Sequence, residues 1–428
     1  MSCRQVWRIS VFLGGTVALC GHPASGQITR AGTPLQLNVA DSVDDSFVAL
    51  DCAPGGPVFA TWVGVVSAAP TTLTHYGRAF DFAGTPLSGE VELTTPDDPF
   101  EYGARISRDG LGRAFVVWEH AISGVGLEAE GNVFDSSGIP GKGLWSLNSY
   151  SPGSQSNPDV AVNAAGTSFW AVWTGPGPGG IVGVWLRRFT ESGTPAPEVL
   201  VEAGTSSVAR IEMNPHTGAF VVAWEMHNGT DLDVHARRFD AAGSPLGSVL
   251  LVNTTTAGDQ SSPEVALDAD GDFVVVFSGN GQGDPDGVLG QLFNASGTPV
   301  GAEFWVNATV NGTQNLSRVA FDESGGFLVA WNHSASLSWG RVYAAYFSPG
   351  GTRSGFSDFP VTATLDPSRV QLPTGICQDD ARGFRVGFTE RDSSNSTSAE
   401  VFSQRLIAGL FVDGFASGTK GGWSSSTP

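Results

Sequence analysis

Apolar and polar positions along the chain fall into one repeating pattern. Short stretches that are apolar at every position, such as Phe220-Val221-Val222-Ala223-Trp224, end on an aromatic residue. That residue recurs at Trp62, Trp118, Trp173, Trp224, Phe277, Trp331 and Phe388, with spacings of 56, 55, 51, 53, 54 and 57 residues. A second marker is an aromatic residue with glycine four positions later and proline six later, at Phe80/Pro86, Phe134/Pro140, Phe189/Pro195, Phe239/Pro245 and Phe293/Pro299. Phe347 keeps Gly351 but has Arg353, and residues 28–34 (ITRAGTP) repeat the turn near the start, so the array begins partway through a unit.

The fifth unit resolves into four strands, a (249–253), b (264–268), c (273–277) and d (288–293). Hairpin-length connections join b to c (ADGD) and d to the next a (NASGTP), each with glycine where a positive φ is needed. Strand c does not alternate, so both of its faces must be covered, and neighbouring copies supply the cover. Four short antiparallel strands in a unit of about 54 residues, repeated seven times, predict an all-β, seven-bladed β-propeller. An open solenoid would need polar capping segments, and none is visible. The units run over residues 34–85, 86–139, 140–194, 195–244, 245–298, 299–352 and 353–408. The long a-to-b connection (253–263) marks the step between blades, which makes b the innermost strand and the following a the outermost. Residues 34–38 then have no blade of their own and should close the ring on the outside of the last one.

The strings VHARRFDAAGSPLGSVLLVN (234–253) and SSPEVALDADGDFVVVF (261–277) resemble propeller-like repeats of secreted bacterial proteins that are mostly uncharacterised. The resemblance spans residues 28–406 and implies the fold, with little about activity. Residues 409–428 form a Gly/Ser-rich tail in which DGFASG (413–418) and Trp423 resemble the DGFESG...W ending of many secreted bacterial proteins.

Charge narrows the partners. With 22 Lys plus Arg against 42 Asp plus Glu, the net charge of -20 repels nucleic acid and anionic membranes. Arg4 and Arg8 precede an apolar run (9–21) and Ala24-Ser25-Gly26, which reads as a signal peptide over residues 1–26, too short to span a membrane. Removing it takes Cys3 and Cys20 and leaves Cys52 and Cys377, both beside b-c hairpins, in units one and seven. Ring closure makes those units neighbours, so the two cysteines are expected to form a disulfide in an oxidising compartment. Eight sequons (Asn228, Asn253, Asn294, Asn307, Asn311, Asn315, Asn332, Asn395) match turn composition equally well.

No catalytic motif is present: there is no phosphate loop, G-x-S-x-G, HExxH or CxxC. His120, His227 and His333 follow the strand-c aromatic in alternate blades, too far apart for one metal. Asp268, Asp270 and Asp272 have the alternation of a calcium loop, yet unit six keeps only part of it, and an Asx-supported turn explains the shared features without an ion. The same hairpin resembles the Asp-box of sialidases but fails at its Ser and Trp positions. The most informative set is the residue before the Ile/Val that opens strand b: Arg105, Asp159, Arg210, Glu264 and Arg318, with Arg369 seventh and Phe47 first. An alternating ring lining the channel could be a belt of ion pairs or a funnel that binds a carboxylate or sugar acid. Arg187-Arg188, Arg237-Arg238 and Arg405 read as solvated charges guarding sheet edges. The expected function is a secreted or envelope-associated, monomeric binding or scaffold module without a cofactor, meeting a glycan or protein at a rim. The alternative is a sialidase-like hydrolase or lyase acting on polysaccharide in the funnel.

Overall fold

The computed structural model describes residues 27–39, 45–53, 56–68, 71–94, 103–122, 125–141, 145–281, 284–334, 340–363, 369–380, 382–392 and 399–409. The expected signal peptide and tail residues 410–428 lie outside them. Among the described residues there are seven four-stranded antiparallel sheets and one 3-10 turn, Pro178–Gly180. Their first strands are Asp45–Cys52, Arg105–Arg108, Ser156–Val162, Ala209–Met213, Gln260–Leu267, Thr313–Phe321 and Arg369–Gln378. Each first strand packs beside the next, and the seventh packs beside the first. The molecule is therefore a closed seven-bladed propeller, with these strands innermost.

Each blade takes strands b, c and d from one unit and its outermost strand from the next. The seventh blade has no following unit, and the N-terminal strand Gln27–Gln36 fills that edge, pairing Ile28 with Ala408 and Arg30 with Leu406. Strand c is sandwiched as its composition requires: Trp62, Trp118, Trp173, Trp224 and Trp331 are at most 1% exposed and belong to the apolar layers between blades. Cys52 and Cys377 form a disulfide with 5.6 Å between Cα atoms, joining the innermost strands of blades 1 and 7, at the edge of blade 7 opposite the N-terminal strand.

Arg188 is exposed as expected, but other strand-d arginines differ from expectation. Arg187 and Arg237 are ties between blades, because the outer strand of the preceding blade brings a backbone carbonyl within their reach. Arg187 donates to the Leu147 carbonyl (3.0 Å) and Arg237 to that of Val201 (3.5 Å), as Arg78 does to that of Leu37 (3.3 Å). Arg405 pairs with Asp379 at 2.8 Å and also with Asp380, within blade 7. Three sequon asparagines, Asn253, Asn307 and Asn332, are buried. Asn253 and Asn307 each accept a strand-d amide and donate to an aspartate, Asp233 or Asp284, so their side chains hold outer strands in register.

Candidate functional site

The channel site follows from strand register. In every blade one residue of the innermost strand pairs opposite the residue before the strand-c aromatic: Ala49, Arg105, Asp159, Arg210, Glu264, Arg318 and Gly375. Blades 2 to 6 therefore carry charges at one level, and blades 7 and 1 carry small residues. Arg369 is not on this level. It pairs opposite Asp392 at the other end of its strand, lies 3.8 Å from Glu390 and has a half-exposed side chain. The irregularity between Pro373 and Gly375 makes Gly375-Ile376 the equivalent of the opening dipeptide. Phe47 is likewise two residues short of the level, which in blade 1 is held by Ala49.

The charges alternate in sign, and Arg210 and Arg318 pair with Glu264 of the blade between them, but the pairing is not confined to neighbours. Arg105, Arg210 and Arg318 converge on the single carboxylate of Glu264, at 2.7, 3.0 and 3.0 Å. Arg105 belongs to blade 2 and Glu264 to blade 5, so the contact crosses the channel. Asp159 faces the same cluster, but its oxygens accept the amides of Val160 (2.9 Å) and Ile211 (3.1 Å). Burial alone would raise the Glu264 pKa; the three guanidinium charges outweigh it and pull the group down to about 2. Arg318 is lowered to about 10, chiefly by desolvation. Asp159 is raised by its burial, against the attraction of Arg105 and Arg210. At this level the channel is closed by a cluster of nearly cancelling charge.

Cavities flank the cluster. One, of about 190 Å³, lies at the end where the inner strands begin and includes Phe47, Glu119 and Asn157. The other, of about 100 Å³, includes Glu212. Glu212 has an exposed side chain in the channel, yet desolvation by the channel walls, with repulsion from Asp51 and Asp159, pushes its pKa up to about 8. The folded state thus retains a proton that the unfolded state releases above about pH 4.5, so stability should fall as pH rises from there towards 8. Glu212→Gln is expected to flatten this dependence and to make the protein more stable at pH 8, which urea melts across that range would measure.

A further element was not read from the sequence. Phe47, Asn157 and Ser262 adopt left-handed φ values of 56°, 51° and 53°. Each sits in a bulge two residues before the channel position. The residue after the strand-c aromatic of the preceding blade anchors each bulge: Thr389 accepts the Phe47 amide (3.1 Å), Glu119 that of Asn157, and Glu225 that of Ser262 (2.9 Å). Burial raises the Glu119 pKa. The sequence signal was a polar residue directly after Trp118, Trp224 and Phe388.

The other candidate ligands are engaged locally. His120 Nδ1 lies 3.1 Å from Glu130, His227 Nδ1 accepts the Gly229 amide (3.0 Å), and His333 Nδ1 is 2.9 Å from Gln314. Asp268 accepts the amides of Asp270 (3.0 Å) and Asp272 (2.9 Å), and Asp272 accepts that of Ala295 (2.8 Å). Asp268 therefore forms the expected Asx-supported turn. Among the described residues, no group of three or more His, Cys, Asp or Glu side chains is placed to hold a metal ion.

No protein-family model and no curated protein matches the chain. Solved structures do. A protein of unknown function from Dyadobacter fermentans aligns with a TM-score of 0.52 at 9% identity, over 89% of this chain and 99% of that one. Kuenenia stuttgartiensis hydrazine synthase aligns with a TM-score of 0.52 at 10% identity, over 84% and 98%. The phage phi92 endosialidase aligns at 0.48 and 12% identity, over 97% and 74%. At such identities the likeness concerns the fold alone.

Proposed function

We propose that the protein is a secreted or envelope-associated binding and scaffold propeller that catalyses no reaction. The observation that carries this reading is the placement of Glu264, which already occupies the position a ligand carboxylate would take among Arg105, Arg210 and Arg318. With its strongest anion-binding groups committed to one another, the channel serves as a keystone for the ring, and ligands, a glycan or a protein, meet a rim or the outer surface. The Cys52–Cys377 disulfide supports an oxidising compartment, in line with removal of residues 1–26 as a signal. Such a protein functions as a monomer, since the ring is complete within one chain. A glycan array probed with purified residues 27–428, followed by hydrolysis assays on every hit, tests the reading. Binding without turnover is the expected result. Release of product from a bound polysaccharide, lost on Arg210→Ala, would replace it with the sialidase-like hydrolase or lyase.

A further inference from the structure

Two arginine ties, those of Arg187 and Arg353, share one set of partners. In blade 3, Arg187 lies over the Phe189 ring (5.6 Å to its centre), donates to the Leu147 carbonyl of blade 2 (3.0 Å), and stands 3.7 Å from Glu198. Glu198 in turn accepts the amide of Ser149, two residues after Leu147. Blade 6 builds the same arrangement from its outer strand. Arg353 donates to the Val306 carbonyl (3.1 Å) and pairs with Asp358 (2.7 Å), which accepts the amide of Ala308 (2.8 Å). A guanidinium thus completes a socket made of an outer-strand carbonyl and a carboxylate, roofing a strand-d phenylalanine in blade 3.

Blade 5 has the socket without the cation. Val252 of blade 4 stands where Leu147 and Val306 stand, and Glu303 accepts the amide of Thr254, two residues on (2.8 Å). Phe293 is the equivalent of Phe189. The position of Arg187 is occupied by Gln291, 3% exposed, whose amide nitrogen turns back to the Leu292 carbonyl (2.9 Å). Among the described residues no Arg, Lys or His pairs with Glu303. The vacated space is a cavity of about 390 Å³ that reaches Val252, Gln291, Phe293, Glu303 and Trp305.

We infer that this groove between blades 4 and 5 is a guanidinium pocket that takes an arginine side chain from a basic segment of a partner protein. The partner's arginine occupies in trans the place that Arg187 and Arg353 occupy in cis. Its planar fork can donate to the Val252 carbonyl and the Glu303 carboxylate together while lying against Phe293, which a lysine ammonium cannot do. The net charge of -20 attracts a basic partner to this surface. The inference rests on the reading of the protein as a binding module and supplies that module with a partner.

Calorimetric titration at physiological ionic strength with acetyl-Gly-Arg-Gly-amide tests it, alongside the citrulline and lysine versions of the peptide. The expected result is one-site binding that weakens at least ~10-fold when citrulline replaces arginine and in Glu303→Gln, and is lost in Gln291→Arg. Gln291→Arg should also melt at a higher temperature, because it closes the tie in cis. Equal affinity for the arginine and citrulline peptides, or undiminished binding by folded Gln291→Arg, would overturn the pocket. Should Gln291→Arg not fold, Glu303→Gln decides: undiminished binding overturns the pocket, and a tenfold loss upholds it. An empty glycan array counts against a glycan ligand and leaves this result untouched, whereas a glycan hit with no peptide binding removes the pocket and keeps the binding module.

Discussion

Replacing Glu264 by alanine is expected to lower the unfolding free energy by about 3 to 5 kcal/mol, the cost of stranding a buried charge without its partner. Three guanidiniums, each with a side chain less than a fifth exposed, lose their common counter-ion, and Asp159, with Glu119 near Arg210, is left to balance them. The pH dependence follows the same carboxylate. Its folded pKa of about 2 lies below the ordinary 4.5, so its contribution of about 3 kcal/mol is complete above pH 4.5 and disappears as pH falls towards 2. Urea melts at pH 7 and pH 3 should therefore show a wide gap between the native protein and Glu264→Ala at neutrality and a narrower one in acid. A variant as stable as the native chain at pH 7 would mean that the cluster does not hold the ring.

Loss of the Cys52–Cys377 bond is the second large effect. The bond spans 325 residues, and closing so long a loop in the unfolded chain removes entropy worth about 6 kcal/mol in the chain-entropy account. The double variant Cys52→Ser, Cys377→Ser should melt at a clearly lower temperature than the native protein, and reductant should lower the native melt to match once both sulfurs are reached. The variant should still fold, because the N-terminal strand and the apolar layers between blades close the ring independently. Unchanged melting would show that the bond adds nothing to what the closure strand supplies.

The propeller was legible because its evidence is local and repeated. An apolar strand ending at Trp118, Trp173 or Trp224 and a turn such as Phe239 to Pro245 announce themselves wherever they occur, and the orphan strand at residues 28–38 follows from counting. Four features were not legible. The level of the channel residue in blade 7 depends on a bulge near Pro373, and Arg369, six residues before Gly375, fits the same dipeptide pattern. The meeting of Arg105 with Glu264 depends on a channel narrow enough for an arginine from blade 2 to reach blade 5, which no spacing along the chain encodes. The ties made by Arg78, Arg187 and Arg237 end on backbone carbonyls, groups that leave no mark in a sequence. Gln291 stands out only once those ties are known.

The central claim is that Glu264 fills, from within the chain, the carboxylate position that the three arginines create. Acetate titration of the thermal melt, with chloride-matched controls, tests this most directly. The account predicts that acetate raises the melting temperature of Glu264→Ala, by entering the vacated position, and leaves that of the native protein unchanged. A native protein stabilised by acetate or by a sugar acid, with the effect lost in Arg210→Ala, would contradict it and make the channel a ligand site.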